Sequence, residues 1–302
     1  MINVLIAFLS LIILLKSADT FIDQSTALAK KIKISSFLVG FTLIALGTSL
    51  PDLVISTYST IKGHQDIAIS TFLGSALVNI SLLLGMLAIL SKYKLVEIDI
   101  KKNIPITLFS SIAFVLLLVL FQFQMSWIMG ILLILIFIIS IFSAKKNNHT
   151  IIVKSDVKFN IIYLILSFLL LVFTGRLCVD NILIFAINHG IAETVVGYFI
   201  LAIGISIPEL VTSLAVIKRG NLQLSLGNIL GATLINILLI PALSSFFSTL
   251  DMKPFSLDIF FLVFALLIFY AFALIGRTRL ISKGEGIGLI LVYIIFILLQ
   301  TL

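Results

Sequence analysis

The sequence predicts an all-α membrane protein with ten transmembrane helices arranged as two inverted five-helix repeats. Three observations predict it. Of its residues 61% are hydrophobic and only 11% charged, with a mean hydropathy of +1.30, whereas soluble domains carry roughly a quarter charged residues. Ten apolar runs follow one another along the chain, each near the roughly 20 residues that cross a bilayer. The chain also repeats itself: Gly40 to Asp52 (GFTLIALGTSLPD) recurs as Gly197 to Glu209 (GYFILAIGISIPE), a displacement of 157 residues.

The first run, 2–28, has no basic start and is too long for a cleavable signal, so it is read as a span. The second, 34–61, carries Gly47 and Pro51, which break its helix. The third, 69–91, presents Ser75 and Asn79 on one helical face. Runs 104–121 and 126–144, like 257–276 and 284–302 in the second half, are mainly Leu, Ile, Val and Phe and read as a lipid-facing wall. Lys145 to Lys158 is the one polar, charged stretch and reads as a linker, dividing a first repeat (1–144) from a second (159–302). Runs 159–187, 192–217, 224–248, 257–276 and 284–302 then restart the series. The same displacement carries Asp23 to Asp180, Ser56 to Ser213, Gly74 to Gly231 and Asn79 to Asn236. Five spans per half is an odd number, so the second half enters the membrane upside down. Duplicated halves with broken helices are a mark of secondary transporters.

The net charge of +7 reports topology rather than nucleic-acid affinity. Sixteen of the 20 Lys and Arg fall in alternate loops: Lys30 to Lys33, Lys92 to Lys102, Lys145 to Lys158, Lys218 to Arg219 and Arg277 to Lys283. The positive-inside rule makes these loops, with the linker, cytoplasmic, and both termini extracellular, in an integral protein of the cell membrane. The lone Cys178 excludes a disulfide within the chain and a thiolate metal cluster. His64, His149 and His189 fall in loops and are given no role. No Gly-x-x-x-x-Gly-Lys loop is present, so ATP is not expected to drive the protein. No resident cofactor and no nucleic-acid partner is expected; the partners are ions and the lipid bilayer, and the protein is read as a monomer.

An acid at the centre of a span costs about 2.5–3.5 kcal/mol on insertion scales, so each one needs a reason. Away from the ends of the runs the acids are Asp19, Asp23, Asp52, Asp180 and Glu209, with Lys16 and Arg176 as intramembrane cations. Asp52 and Glu209 each follow a proline, Pro51 and Pro208, which cannot donate the helical hydrogen bond. Carbonyls between Ala45 and Ser49, and between Ala202 and Ser206, are expected to be freed and to point inward. With hydroxyls at Thr48, Ser49, Ser206 and Ser75 and amides at Asn79 and Asn236, they make an oxygen-rich cage. Hard cations such as Ca2+ or Na+ suit it; zinc and copper prefer nitrogen or sulfur. Taken singly, each Ser or Asn is read as helix-packing glue. The acid, proline and amide recurring together are not. Asp23 and Asp180 are read as anchors, with Lys16 and Arg176 close enough along the helix to pair with them.

The motif pair GTSLPD52 with GSALVN79, answered by GISIPE209 with GATLIN236, resembles the alpha repeats of the cation/calcium exchanger superfamily, and most of all its compact prokaryotic sodium/calcium exchangers. The resemblance implies a Ca2+ site between Asp52 and Glu209, completed by the carbonyls of Thr48 and Ile205. It implies flanking Na+ sites from Ser75, the Ala202 carbonyl and Ser206 on one side, and the Ala45 carbonyl, Ser49 and Glu209 on the other. It also implies that spans one and six slide against the other eight. The chain departs from the family at Asp52 (usually Glu in prokaryotic members), Asn236 (Asp), Ile205 (Thr) and Ala232 (Ser). The last two each remove a side-chain oxygen from a Na+ site.

The function expected is therefore Ca2+ antiport against Na+ by alternating access, with H+ as the alternative counter-ion. An intramembrane aspartyl protease also needs two buried acids, but its Tyr-Asp and Gly-x-Gly-Asp signatures are absent. A sensor or passive channel would bind Ca2+ without dependence on a counter-ion gradient.

Overall fold

The computed structural model describes residues 2–31, 40–90, 93–94, 99–145, 157–190, 196–206, 209, 213, 222–275 and 280–301. Pro208 and most of the 145–158 linker lie outside them. The fold is helical apart from two short strand ladders.

α1 (Ile2–Lys31) is followed by a π-helical segment (Gly40–Ile44) and a short turn (Ala45–Thr48), which bend by 54° at Ser49 into α2 (Leu50–Ile61). Pro51 sits in the first turn of α2, where a missing N–H is tolerated. That same missing donor leaves the Gly47 carbonyl without its partner four residues on. α3 (Gln65–Leu77) continues through a π-helical segment (Val78–Leu83) into α4 (Leu84–Leu90), followed by α5 (Ile104–Leu120) and α6 (Trp127–Lys145). The series restarts with α7 (Ile161–His189), a π-helical segment (Val196–Ala202) and the short helix Ile203–Ile205. α8 (Leu222–Leu234) leads through Ile235–Leu239, again π-helical, into α9 (Ile240–Ser245), and α10 (Ser256–Ile275) and α11 (Lys283–Thr301) complete the chain.

The displacement of 157 residues holds for the backbone as well as the sequence. α3 and α8 begin at Gln65 and Leu222 and end at Leu77 and Leu234, and the π-helical segments after them begin at Val78 and Ile235. Strand β1 (Tyr93–Lys94) corresponds in the same way to β3 (Leu250–Asp251). Antiparallel ladders join β1 to β4 (Leu280–Ile281) and β2 (Gln124–Met125) to β3, so each ladder ties one half to the other.

Among the described residues, seven helices are long and apolar enough to cross a membrane, and the bent pair Gly40–Thr48 with Leu50–Ile61 makes an eighth. Two shorter apolar helices, Ile161–Gly175 and Val196–Ile205, lie in the sixth and seventh predicted runs. α5, α6, α10 and α11 show apolar side chains such as Leu116, Leu120 and Leu298 on one face and bury Phe114, Leu133, Phe269 and Phe296 on the other. They are half wall and half core, rather than lipid surface alone.

The main core draws on α3 to α6 and α8 to α11 and, among the described residues, on nothing from α1 or α7. Those two pack along each other and share a smaller cluster (Leu14, Ile55, Cys178, Ile205) with α2 and the seventh run. The halves meet through small residues, as membrane helices do. A Cβ placed on Gly74 would lie 2.8 Å from that of Ala202, and one on Gly231 2.8 Å from that of Ala45. Ala45 and Ala202 are themselves repeat equivalents, so the two contacts are the same contact made reciprocally.

Candidate cation site

Asp52 and Glu209 are both 0% exposed. Asp52 lies in the first turn of α2, where the helix dipole favours a carboxylate. Ser75 Oγ on α3 donates to Asp52 Oδ1 at 2.8 Å, while Oδ2 has no protein partner. Asn236, from the π-helical segment after α8, stands beside Asp52. Glu209 stands beside Thr48 and Ser49 and close enough to Asp52 for the two charges to interact. The acid of each half is thus met by polar groups of the other. Both oxygens of Glu209 lack a hydrogen-bond partner, as do Ser49 Oγ and both side-chain polar atoms of Asn79 and Asn236.

Buried polar groups are nearly always satisfied, and leaving one unpaired costs on the order of 1–3 kcal/mol. Unpartnered oxygens of Ser49, Asn236 and Glu209, with Asp52 Oδ2, make sense if a cation takes the place of the missing donors. The donor set is carboxylate, carboxamide and hydroxyl. Such oxygen donors suit a hard cation rather than a nitrogen- or sulfur-seeking metal. Asn79 and Asn236 both sit in π-helical turns, a backbone irregularity common at functional sites.

Two sequence expectations need correction in detail. The Ala45 carbonyl is not freed: it accepts the Ser49 N–H at 2.9 Å and the Thr48 hydroxyl at 3.2 Å. The Ala202 carbonyl likewise accepts the Ser206 N–H at 3.3 Å and hydroxyl at 2.7 Å. In the first half the reason is geometric. Pro51 withholds its donor from Gly47, and the chain breaks at Ser49, beyond the turn that holds Ala45. Ile205 and Ala232 are fully buried without a side-chain oxygen, and Ile205 packs into the Leu14 and Cys178 cluster.

Asp180 of α7 accepts from Tyr58 Oη of α2 at 3.1 and 3.3 Å. Sequence proximity pointed to Arg176 instead, whose side chain lies outside the described residues. Lys16, Asp19 and Asp23 are exposed on α1. Sequence reasoning missed two buried polar centres. Asn228 on α8 bonds Thr48 and Ser213, and Asp258 on α10 accepts from Tyr198 and, at 3.0 Å, from Gln300. The equivalents of Asn228 and Asp258 are Thr71 and Lys101, so neither recurs under the displacement.

The profile of the family "Sodium/calcium exchanger protein" matches residues 2–145 and 159–302. The chain is 32% identical over 296 residues to the uncharacterized membrane protein MJ0091 of Methanocaldococcus jannaschii, covering 96% of this chain and 95% of that one. It is 28% identical over 346 residues to the sodium/calcium exchanger MaX1 of Methanosarcina acetivorans, covering 98% and 97%. Among solved structures it resembles the sodium-calcium exchanger NCX_Mj soaked with Na+ and Sr2+, at a TM-score of 0.74 and 32% identity over 98% of this chain and 97% of that one.

Proposed function

Because this chain belongs to the sodium/calcium exchanger protein family, a family of membrane transporters and not of enzymes, we propose that it is a secondary-active antiporter moving Ca2+ across the membrane in exchange for Na+. One juxtaposition carries the reading: Asp52 and Glu209, one from each half, are buried side by side among oxygens that have no protein donor. Ca2+ binds between them, with the carbonyls of Thr48 and Ile205 and the amides of Asn79 and Asn236 around it. Na+ takes flanking positions at Ser75, Ser206 and the Ala202 carbonyl, and at Ser49, Glu209 and the Ala45 carbonyl. Both alanine carbonyls hold bonds within their own turns, so their contribution is the weaker one. Ca2+ and Na+ compete for the same acids, and that competition couples the two fluxes. Both acids come from one chain, so a monomer carries a complete site.

The same reading makes the ten runs ten spans, in two inverted halves with the linker cytoplasmic, supported by the sixteen cations of alternate loops. Access alternates when the α1–α7 pair moves against the rest. Its separation from the main core supports this, since the pair can shift without opening that core.

The test is radioactive Ca2+ uptake into proteoliposomes. Uptake into Na+-loaded vesicles is expected to exceed that into Na+-free controls; uptake driven only by a pH gradient would assign the counter-ion as H+. Ile205→Thr with Ala232→Ser is expected to restore one oxygen to each Na+ position. A hydrogen-bonding oxygen contributes about 0.5–1.5 kcal/mol net, so the half-saturating Na+ concentration should fall about three- to tenfold. No change would show that these two positions do not face the transported Na+.

A further inference from the structure

Asn228 is 1% exposed and lies inside the bundle on α8. Its Oδ1 lies 3.4 Å from Thr48 Oγ1, whose single proton is shared with the Ala45 carbonyl at 3.2 Å, and its Nδ2 donates to Ser213 Oγ at 3.3 Å. A carboxamide donates at one end and accepts at the other, and a hydroxyl does either, so the bridge survives whichever way the amide is turned. Its two ends are informative. Thr48 is the last residue before the break that leads to Asp52, and it stands beside Glu209. Ser213 lies four residues beyond Glu209 in the sequence. A single side chain therefore joins the broken run of the first half to that of the second, beside the unpartnered Glu209 carboxylate.

The other half has no such bridge. The equivalents of Asn228, Ser213 and Thr48 are Thr71, Ser56 and Ile205. Thr71 Oγ1 and Ser56 Oγ are buried without a hydrogen-bond partner, and Ile205 offers no hydroxyl. The Asn228 bridge thus has no counterpart at the equivalent positions of the other half.

We propose that Asn228 is a positioning residue of the cation site: by holding Thr48 against Glu209 it sets the affinity for the divalent ion, without touching the ion itself. The inference rests on the Ca2+ reading above. Thr48 contributes a backbone carbonyl to that ion, and a backbone atom can be placed only by fixing the residue that carries it.

The experiment measures Ca2+ uptake by full-length protein in Na+-loaded proteoliposomes as a function of Ca2+ concentration. Asn228→Leu keeps the branching at Cγ and removes both bonds, at the cost of a somewhat larger side chain. It is expected to raise half-saturating Ca2+ about tenfold with the maximal rate within about twofold. Thr48→Val, which deletes the hydroxyl but not the carbonyl, should produce a similar rise. The double variant should fall well short of the sum of the two singles, because they share the Asn228–Thr48 contact, and any extra loss in Thr48→Val comes from the hydroxyl's bond to the Ala45 carbonyl. If Asn228→Leu does not fold, Ser213→Ala, which removes the other anchor, carries the test with an expected rise of about threefold. Unchanged half-saturation, a fall confined to the maximal rate, or additive single variants would overturn the proposal while wild-type uptake leaves the transport reading standing. Absence of wild-type Ca2+ uptake would overturn both.

Discussion

Glu209→Gln is expected to reduce Ca2+ transport by at least about 100-fold. Removing one partner from a buried, charge-compensated site costs about 3–5 kcal/mol, and each 1.4 kcal/mol is about a factor of ten. Glu209 is the more exacting of the two acids because both of its oxygens are free for an ion, whereas Asp52 has committed Oδ1 to Ser75. Asp52→Asn is therefore expected to transport about tenfold better than Glu209→Gln, since the oxygen it keeps can still accept from Ser75. Asp52→Glu keeps the charge and should stay within about tenfold of wild type. Thermal unfolding without Ca2+ should move the opposite way. Two carboxylates buried side by side repel each other and have lost their water, so Glu209→Gln should melt higher than wild type in Ca2+-free buffer and gain little when Ca2+ is added. Uptake assays and Ca2+-dependent melting on the same preparations check both halves of the argument. A Glu209→Gln protein that still exchanges Ca2+ would remove this residue from the site.

The parts of this molecule that were legible in the sequence are those in which a polar group breaks an apolar run twice. Asp52 and Glu209 stand out because hydrocarbon tolerates few acids, and the displacement of 157 residues pairs each with an amide at Asn79 or Asn236. The structure brings Asp52 and Asn236 together across the two halves. What was not legible involves single, unrepeated partners from distant helices. Tyr58 and Asp180 are 122 residues apart, and nothing local announces their bond. Asp258, the second residue of the run 257–276, has no repeat partner or local motif to mark it, yet it is 2% exposed because Tyr198 and Gln300 arrive from two other helices to satisfy it. The carbonyl prediction went astray at the level of a single turn. Proline identifies a missing donor, but which carbonyl is released depends on where the chain bends, and here it bends at Ser49.

Gly231→Ala is the second change expected to be severe, although it adds only a methyl group. That methyl would meet the carbonyl oxygen of Phe41 and, at 2.8 Å, both the carbonyl carbon of Phe41 and the Cβ of Ala45. Two of these are backbone atoms, which cannot swing aside as a side chain would, so α8 and the Gly40–Ile44 segment must separate. Overpacking of this kind costs about 1–3 kcal/mol. The displacement is also transmitted: Gly231 is five residues before Asn236, and Ala45 three before Thr48, so both walls of the cage move. Melting temperature and Ca2+ uptake should therefore fall together, uptake by about tenfold. Gly74→Ala repeats the test in the other half, where the new methyl meets the Ala202 Cβ and, at 3.1 Å, the ring of Tyr198, which its bond to Asp258 holds in place. Gly204→Ala is the contrasting case. Its nearest neighbour would be Leu11 Cδ2 at 3.5 Å, an ordinary contact, and replacing a helical glycine gains up to about 1 kcal/mol. If Gly231→Ala and Gly204→Ala behave alike, the halves do not approach as closely as the reciprocal glycine–alanine contacts require. The crosswise meeting of Asp52 with Asn236 would then lose its structural basis.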